Sequence, residues 1–183
     1  EMGSIMKPLT VAAALDAGVI TPETLYVDSG MMKIDDRLIG NYDGRARGEV
    51  NMQEVLNQSL NTGAVFAMRQ LGPSRFRDYF LKFGLAEPSG IDLPNDATGL
   101  LANLNSRRDI EFATAAYGQG IAMSPLAMSR ALSALANGGR LITPHVVGRL
   151  ESRVTGSVTE IVPPPGPQVI SAATSKTITE MLV

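Results

Sequence analysis

Apolar residues at helical spacing, cut into short lengths by glycine and proline, set what this chain can fold into. Phe76, Tyr79, Phe80 and Phe83 fall at i, i+3, i+4 and i+7. They make one apolar face bounded by Pro73 and Gly84, which predicts a helix docked on a core. The same spacing runs through Met52, Val55 and Leu56, breaks at 59–63 and resumes at Val65, Met68 and Leu71, so two helical pieces flank a polar loop. Ahead of them, residues 4–17 are rich in Ala and Leu, open on Ser4, a residue suited to N-capping, and close at Gly18. Pro8 lies in the opening turn of that helix, where a missing N–H costs little.

Elsewhere the breakers dominate. Residues 24–43 mix β-formers with Ser29-Gly30 and Asp43-Gly44 and predict short strands or an extended loop. Residues 85–104 carry Pro88, Gly90, Pro94, Asn95-Asp96 and Gly99 and predict a structured loop. Further helices are expected at 108–117, ending in Gly118-Gln119-Gly120, and from Ser124-Pro125 to Asn137-Gly138-Gly139. The β-branched stretch 140–161 can form a hairpin about Thr155-Gly156-Ser157, and the prolines of 163–167 make a stiff spacer before a last helix from about Ala172. There is no internal repeat and no sign of a second domain. The expectation is one unit over 1–183, mainly α with a few short strands. A first helix at residue 4 and a chain ending within a helix at Met181-Leu182-Val183 read as cut ends.

A hydrophobic fraction of 44% with 19% charged residues belongs to a chain that folds. The net charge of -2, with no run of Lys and Arg, excludes a phosphate backbone as partner, so no nucleic acid is expected. Without cysteine there are no disulfides, no thiolate nucleophile and no cysteine metal site. A single histidine, His145, excludes a multi-imidazole metal centre and argues against a Ser-His-Asp triad, leaving Lys, Asp or Glu as any catalytic base. No metal or cofactor is expected. No stretch approaches the roughly 20 apolar residues of a membrane span and no signal-peptide layout is present, so a soluble chain is expected.

Two constellations can carry chemistry. Ser4-Ile5-Met6-Lys7 puts a hydroxyl and an amine three residues apart, on one face of a helix and within mutual reach, as acyl transfer requires. At a helix N-terminus the backbone N–H groups favour the oxyanion formed on attack, and burial of the lysine lowers its pKa toward the neutral base. About one Ser-x-x-Lys match is nevertheless expected by chance in a chain of this length, and Glu1-Met2-Gly3-Ser4 also reads as a leftover of a cloning site. Ser59-Leu60-Asn61 lies in the polar break between helical pieces, where a hydroxyl and an amide can face a cleft; equally, Ser59 can cap the following helix while Asn61 or Gly63 ends the preceding one.

Taken in order, these pieces resemble the transpeptidase domain of class B penicillin-binding proteins, the peptidoglycan cross-linking enzymes of bacterial elongation and division. Glu1-Met2-Gly3-Ser4-Ile5-Met6-Lys7-Pro8 is similar to the family's Glu-Pro-Gly-Ser-x-x-Lys-Pro, and Gln58-Ser59-Leu60-Asn61-Thr62-Gly63-Ala64 to its Ser-x-Asn segment. Gly90-Ile91-Asp92-Leu93-Pro94, Tyr117-Gly118-Gln119-Gly120-Ile121 with Ser124-Pro125-Leu126, Ala134-Leu135-Ala136-Asn137-Gly138-Gly139 and Pro144-His145 follow in the family's order.

The resemblance implies a fragment of the α/β transpeptidase fold shared with serine β-lactamases, mostly its helical subdomain, with the central sheet built from strands before Ser4 and after Val183. A sheet-facing apolar surface would then be bare or covered by another chain, including a second copy. It implies Ser4 as the nucleophile that attacks a D-Ala carbonyl of a stem peptide or a β-lactam ring. Lys7 takes the serine proton, Ser59 relays a proton to the leaving group, and Asn61 binds the substrate amide and helps hold Lys7. Gly118, Gly120 and the Asn137-Gly138-Gly139 turn are scaffold by the same resemblance, and His145 is a surface or packing residue. The implied partners are peptidoglycan stem peptides, β-lactam antibiotics and other cell-wall synthesis proteins, and the implied location is the outer side of the cytoplasmic membrane.

Met2 stands where the family usually has proline, and the third motif, Lys-Ser/Thr-Gly, is not among these residues, since Ile178 follows Ser175-Lys176-Thr177. An impaired fragment is therefore expected, because that strand supplies an oxyanion donor worth about 10²–10³ in rate. A serine β-lactamase or β-lactam sensor shares the first two motifs and would release its acyl group rapidly. A helical scaffold with idle catalytic residues would need neither Ser4 nor Lys7.

Overall fold

The computed structural model describes residues 1–183. In chain order a 3-10 turn, Gly3–Met6, leads into α1 (Lys7–Asp16). Strands β1 (Leu25–Asp28), β2 (Met31–Ile34), β3 (Arg37–Gly40) and β4 (Gly48–Asn51) follow. Helices α2 (Met52–Asn57), α3 (Asn61–Leu71) and α4 (Pro73–Lys82) come next. After a long loop and a 3-10 turn at Ala102–Asn105 come α5 (Asp109–Ala115) and α6 (Pro125–Ala136). The chain closes with β5 (Arg149–Glu151), β6 (Val158–Glu160) and α7 (Ala172–Met181). The strands form three separate antiparallel ribbons, β1 with β4, β2 with β3 and β5 with β6, so the molecule is mainly helical with short strands, as its sequence suggests.

Helix α1 is the centre of the core. Leu9, Val11, Ala12, Ala13 and Ala14 are fully buried, and α3, α4, α6 and α7 all pack on it. Its consecutive alanines have little side chain to interpose, so neighbouring helices approach from several directions. The helix stops where Gly18, at φ 66°, permits a Schellman closure: Val19 N–H donates to Ala14 O at 3.1 Å and Gly18 N–H to Leu15 O at 2.9 Å. Its start differs from expectation. Ser4 is not an N-cap but lies within the 3-10 turn, whose preceding residue, Met2, offers no side-chain cap. A nucleophile candidate held inside a tight turn is more exposed than one packed along an α-helix would be, and Ser4 and Ile5 are both exposed.

The other helix boundaries follow from identifiable caps. Asn51 caps α2 by accepting from Glu54 N–H at 3.0 Å, Ser124 caps α6 from Ala127 N–H at 3.1 Å, and Ser171 caps α7 from Thr174 N–H at 3.0 Å. Phe76 and Phe80 of α4 are fully buried with ring centroids 4.1 Å apart, so the aromatic face docks as its spacing requires. The loop between α4 and α5 is tied down by carboxylates. Asp96 accepts from Ser89 Oγ at 2.9 Å and Gly90 N–H at 3.0 Å, and Asp92 accepts from the N–H groups of Val146 and Val147 at 2.8 and 2.9 Å. His145 is exposed.

Large exposed apolar side chains, Val27, Leu38, Leu150 and Val154 among them, are scattered over the ribbons and loops, while α1 is covered on all sides. No helix is long and apolar enough to cross a membrane.

Candidate active site

Lys7, one helical turn beyond Ser4, is 2% exposed, although its neighbour in the motif is open to solvent. Its ammonium donates to the Ser59 carbonyl at 2.5 Å and to Ser59 Oγ at 2.9 Å. Burial lowers the Lys7 pKa to about 8. About a tenth of the amine is then neutral at pH 7, against far less than a hundredth for an exposed lysine. Ser59 owes its orientation to a φ of 53°, left-handed backbone that a serine adopts at a cost of about 1–2 kcal/mol. That turn joins α2 to α3 and aims both the carbonyl and the hydroxyl of one residue at the same amine. It also settles the alternative for this segment: the N-cap position of α3 is Leu60, with no side-chain cap, and Ser59 does not cap the helix.

Asn61 opens α3. Its Nδ2 donates to Gly40 O at 2.7 Å and its N–H to Asn41 Oδ1 at 2.9 Å. The side chain therefore braces the end of β3 and is not bonded to Lys7, which differs from the role the family resemblance implies. The ammonium's donors go to Ser59 because the left-handed turn brings that carbonyl over the amine, while the Asn61 amide is engaged by the ribbon.

A buried carboxylate underlies this arrangement. Asp28, at the end of β1, is 1% exposed. It accepts from Asn41 Nδ2 at 3.0 Å on both oxygens, from Thr62 Oγ1 at 2.6 Å, from Arg47 N–H at 3.0 Å and from Gly30 N–H at 3.1 Å. Asn41 passes the linkage on, because its Oδ1 accepts from both Asn61 N–H and Thr62 N–H at the unpaired start of α3. Sequence reasoning missed this network; apart from the local Gly30 contact, the partners of Asp28 are 13 to 34 positions away and follow no local pattern. The available signal was the group of Asx residues next to glycine in Asp28-Ser29-Gly30 and Gly40-Asn41, which reads as turn chemistry alone.

The approach to Ser4 is set by glycines. Gly3 N–H donates to Gly118 O at 3.2 Å, and Gly118 has a φ of 82°. A Cβ on Gly118 would overlap the Gly3 carbonyl oxygen, so the turn that carries Ser4 rests directly on backbone. Gly120 N–H donates to Glu1 Oε1 at 3.0 Å, a second tie between the same two segments.

Ser4, Ser59 and Asn61 meet in one cleft of about 420 Å³, with Lys7 beneath Ser59. Gly3, Tyr42, Tyr117 and Gln119 complete its wall; none of these four was singled out as a site residue from the sequence. An exposed hydroxyl, a buried amine of lowered pKa and a second hydroxyl on that amine are the parts of a proton-transfer chain for acyl transfer. No group of three His, Cys, Asp or Glu side chains is clustered as a metal ion would need.

The chain matches the penicillin binding protein transpeptidase domain over residues 1–183. It is 34% identical over 180 residues to stage V sporulation protein D of Bacillus subtilis, covering 97% of this chain and 28% of that protein. It is 28% identical over 184 residues to PbpB of Mycobacterium tuberculosis, covering 100% of this chain and 27% of that one. Among solved structures, penicillin-binding protein 3 of Mycobacterium tuberculosis in complex with aztreonam superposes with a TM-score of 0.91 at 28% identity, over 100% of this chain and 40% of that one. The transpeptidase domain of Burkholderia pseudomallei penicillin-binding protein 3 gives 0.85 at 31% identity, over 100% and 52%. The chain thus spans about a quarter of the length of the curated relatives it matches. In sequence and in fold the chain belongs to the penicillin-binding protein transpeptidase family, in the class B group that its ordered segments resemble.

Proposed function

We propose that this chain is part of a peptidoglycan cross-linking D,D-transpeptidase that works through an acyl-serine intermediate and is acylated by penicillins. Ser4 Oγ attacks the carbonyl of the penultimate D-Ala of a stem peptide, with Lys7 as the base that receives its proton. The C–N bond then breaks, Ser59 passes a proton to the nitrogen, and the terminal D-Ala leaves as an amine. Asn61, with its Nδ2 held by Gly40 O, offers its Oδ1 to the N–H of the donor's amide. The amine of a neighbouring stem peptide attacks the ester carbonyl, restores Ser4 and completes the new amide bond. A β-lactam enters the same first step, but its opened ring stays attached.

The single observation that carries this reading is the burial of Lys7 against both polar atoms of Ser59, one turn from an exposed Ser4. The aztreonam complex of the mycobacterial relative supports the extension to β-lactams. Residues 1–183 contain no Lys-Ser/Thr-Gly segment. By that reading the isolated segment acylates slowly, and the whole protein acts on the outer face of the cytoplasmic membrane beside other cell-wall synthesis proteins.

Intact-mass spectrometry after incubation with a penicillin tests it. One covalent adduct per chain that persists for hours and is missing in Ser4→Ala is the expected result. An adduct that disappears within minutes would mark a β-lactam hydrolase. No adduct on a folded chain, or one that survives in Ser4→Ala, would overturn the assignment.

A further inference from the structure

A second cavity, of about 310 Å³, adjoins the Ser4 cleft. The two share Tyr117 and Gln119 as wall, and beyond them the second is lined by Arg37, Arg108, Glu111 and Thr114. Charge distinguishes the two spaces. The residues lining the Ser4 cleft are all uncharged, whereas the second cavity sets two guanidinium groups against one carboxylate. Arg37 makes no ion pair with any carboxylate of the chain, and Arg108 pairs only with Asp36 at 3.3 Å, both side chains more than half exposed. Such an exposed pair exchanges easily for another carboxylate. The two arginines come from separate elements, β3 and the residue before α5, so each can approach a ligand from its own side.

We infer that this cavity is the subsite for a free carboxylate carried by the acyl-donor peptide upstream of the bond that Ser4 attacks. The inference rests on the transpeptidase reading of Ser4 and adds a charge preference to it. The cavity joins the cleft at Tyr117 and Gln119 and shares neither Ser59 nor Asn61. On the transpeptidase reading Ser59 gives its proton to the departing amine, which assigns the opposite edge of the cleft, at Tyr117 and Gln119, to the part of the donor that stays on the enzyme. Arg37 and Arg108 provide planar forks suited to a carboxylate, and a neutral group at that point gains nothing from them.

The test measures non-covalent binding to Ser4→Ala by fluorescence anisotropy. Three labelled peptides are compared: one ending in D-Ala-D-Ala with an upstream Glu, the same with Gln, and the Glu peptide with its C-terminus amidated. The Glu peptide should bind about three- to tenfold more tightly than the Gln peptide at low salt. The difference should shrink as salt rises and vanish in Arg37→Gln/Arg108→Gln. Equal binding of Glu and Gln peptides, a preference that survives the double substitution, no measurable binding of either, or a double substitution that affects only discrimination of the C-terminal carboxylate would each overturn the subsite. Acylation of the unsubstituted chain by a penicillin with a neutral side chain reads Ser4 separately, and a thermal melt of the double variant that matches the unsubstituted chain shows that the variant is folded. Failure of the unsubstituted chain to acylate would count against Ser4 chemistry without altering the peptide comparison.

Discussion

Lys7 is a buried amine whose desolvation costs stability. Its pKa of about 8 in the folded state, against 10.5 for a free side chain, means that between those values the unfolded chain binds a proton that the folded one does not. Stability therefore rises with pH across that window. It falls as pH drops toward 8, below which the group contributes no further pH dependence. The full excursion amounts to ~3 kcal/mol for this buried amine. Lys7→Met removes the titration and keeps most of the volume. The difference in unfolding free energy between wild type and K7M, followed by urea denaturation from pH 7 to pH 10, should move in favour of wild type as pH rises. A pH-independent difference would show that Lys7 titrates as an ordinary lysine. From the sequence, the Ser-x-x-Lys spacing pointed to this pair, and the lowered pKa was expected from burial. The engagement with the Ser59 carbonyl was not legible, because it depends on a serine adopting φ 53°, a conformation that composition does not announce.

Between elements, the site is held by two contacts that differ in kind. The first is the close approach of Gly118 to Gly3, and two glycine substitutions separate its sources. Gly118 and Gly138 have nearly equal φ, 82° and 83°, but a Cβ on Gly138 meets nothing within 4 Å. Gly138→Ala should cost about 1 kcal/mol from backbone conformation alone, whereas Gly118→Ala should cost roughly 2–4 kcal/mol and slow Ser4 acylation. Thermal melts and acylation rates check both, and equal costs would remove the argument from close approach. The second contact is the Asp28–Asn41–Thr62 network at the start of α3. Asn41→Ala leaves a buried carboxylate short of donors and two helix N–H groups without an acceptor, which should destabilise by about 2–4 kcal/mol in denaturant titrations. A loss within 0.5 kcal/mol would mean that water replaces Asn41 without penalty. The helices themselves were legible from apolar spacing and caps: α4 lies between Pro73 and Gly84, α6 begins at Ser124-Pro125, and α7 begins at Ala172. Ser4 was read as a cap from its residue type, whereas a 3-10 turn, frequent at the start of an α-helix, takes it in.

For the molecule as a whole, the central position of α1 makes chemistry and packing inseparable. The helix that begins with Lys7 is the one on which α2, α3, α4, α6 and α7 all pack, so the amine is fixed by the core and the exposed serine projects from its rim. This relation was only partly visible in the sequence. The Ala-rich run marks a helix with close neighbours, but which helices surround it is decided by long-range contacts that no local pattern encodes. The cleft shows the same division: Ser4, Ser59 and Asn61 were candidates by residue type, while Tyr42, Tyr117 and Gln119 reach it only through the fold. The claim that a buried amine activates an exposed serine is tested most directly by the pH dependence of Ser4 acylation by a penicillin, measured from pH 6 to pH 9. The rate should rise about tenfold per pH unit below 7 and level off near pH 8, with the rise abolished in Lys7→Gln. A flat profile in wild type, or the same inflection in Lys7→Gln, would contradict it.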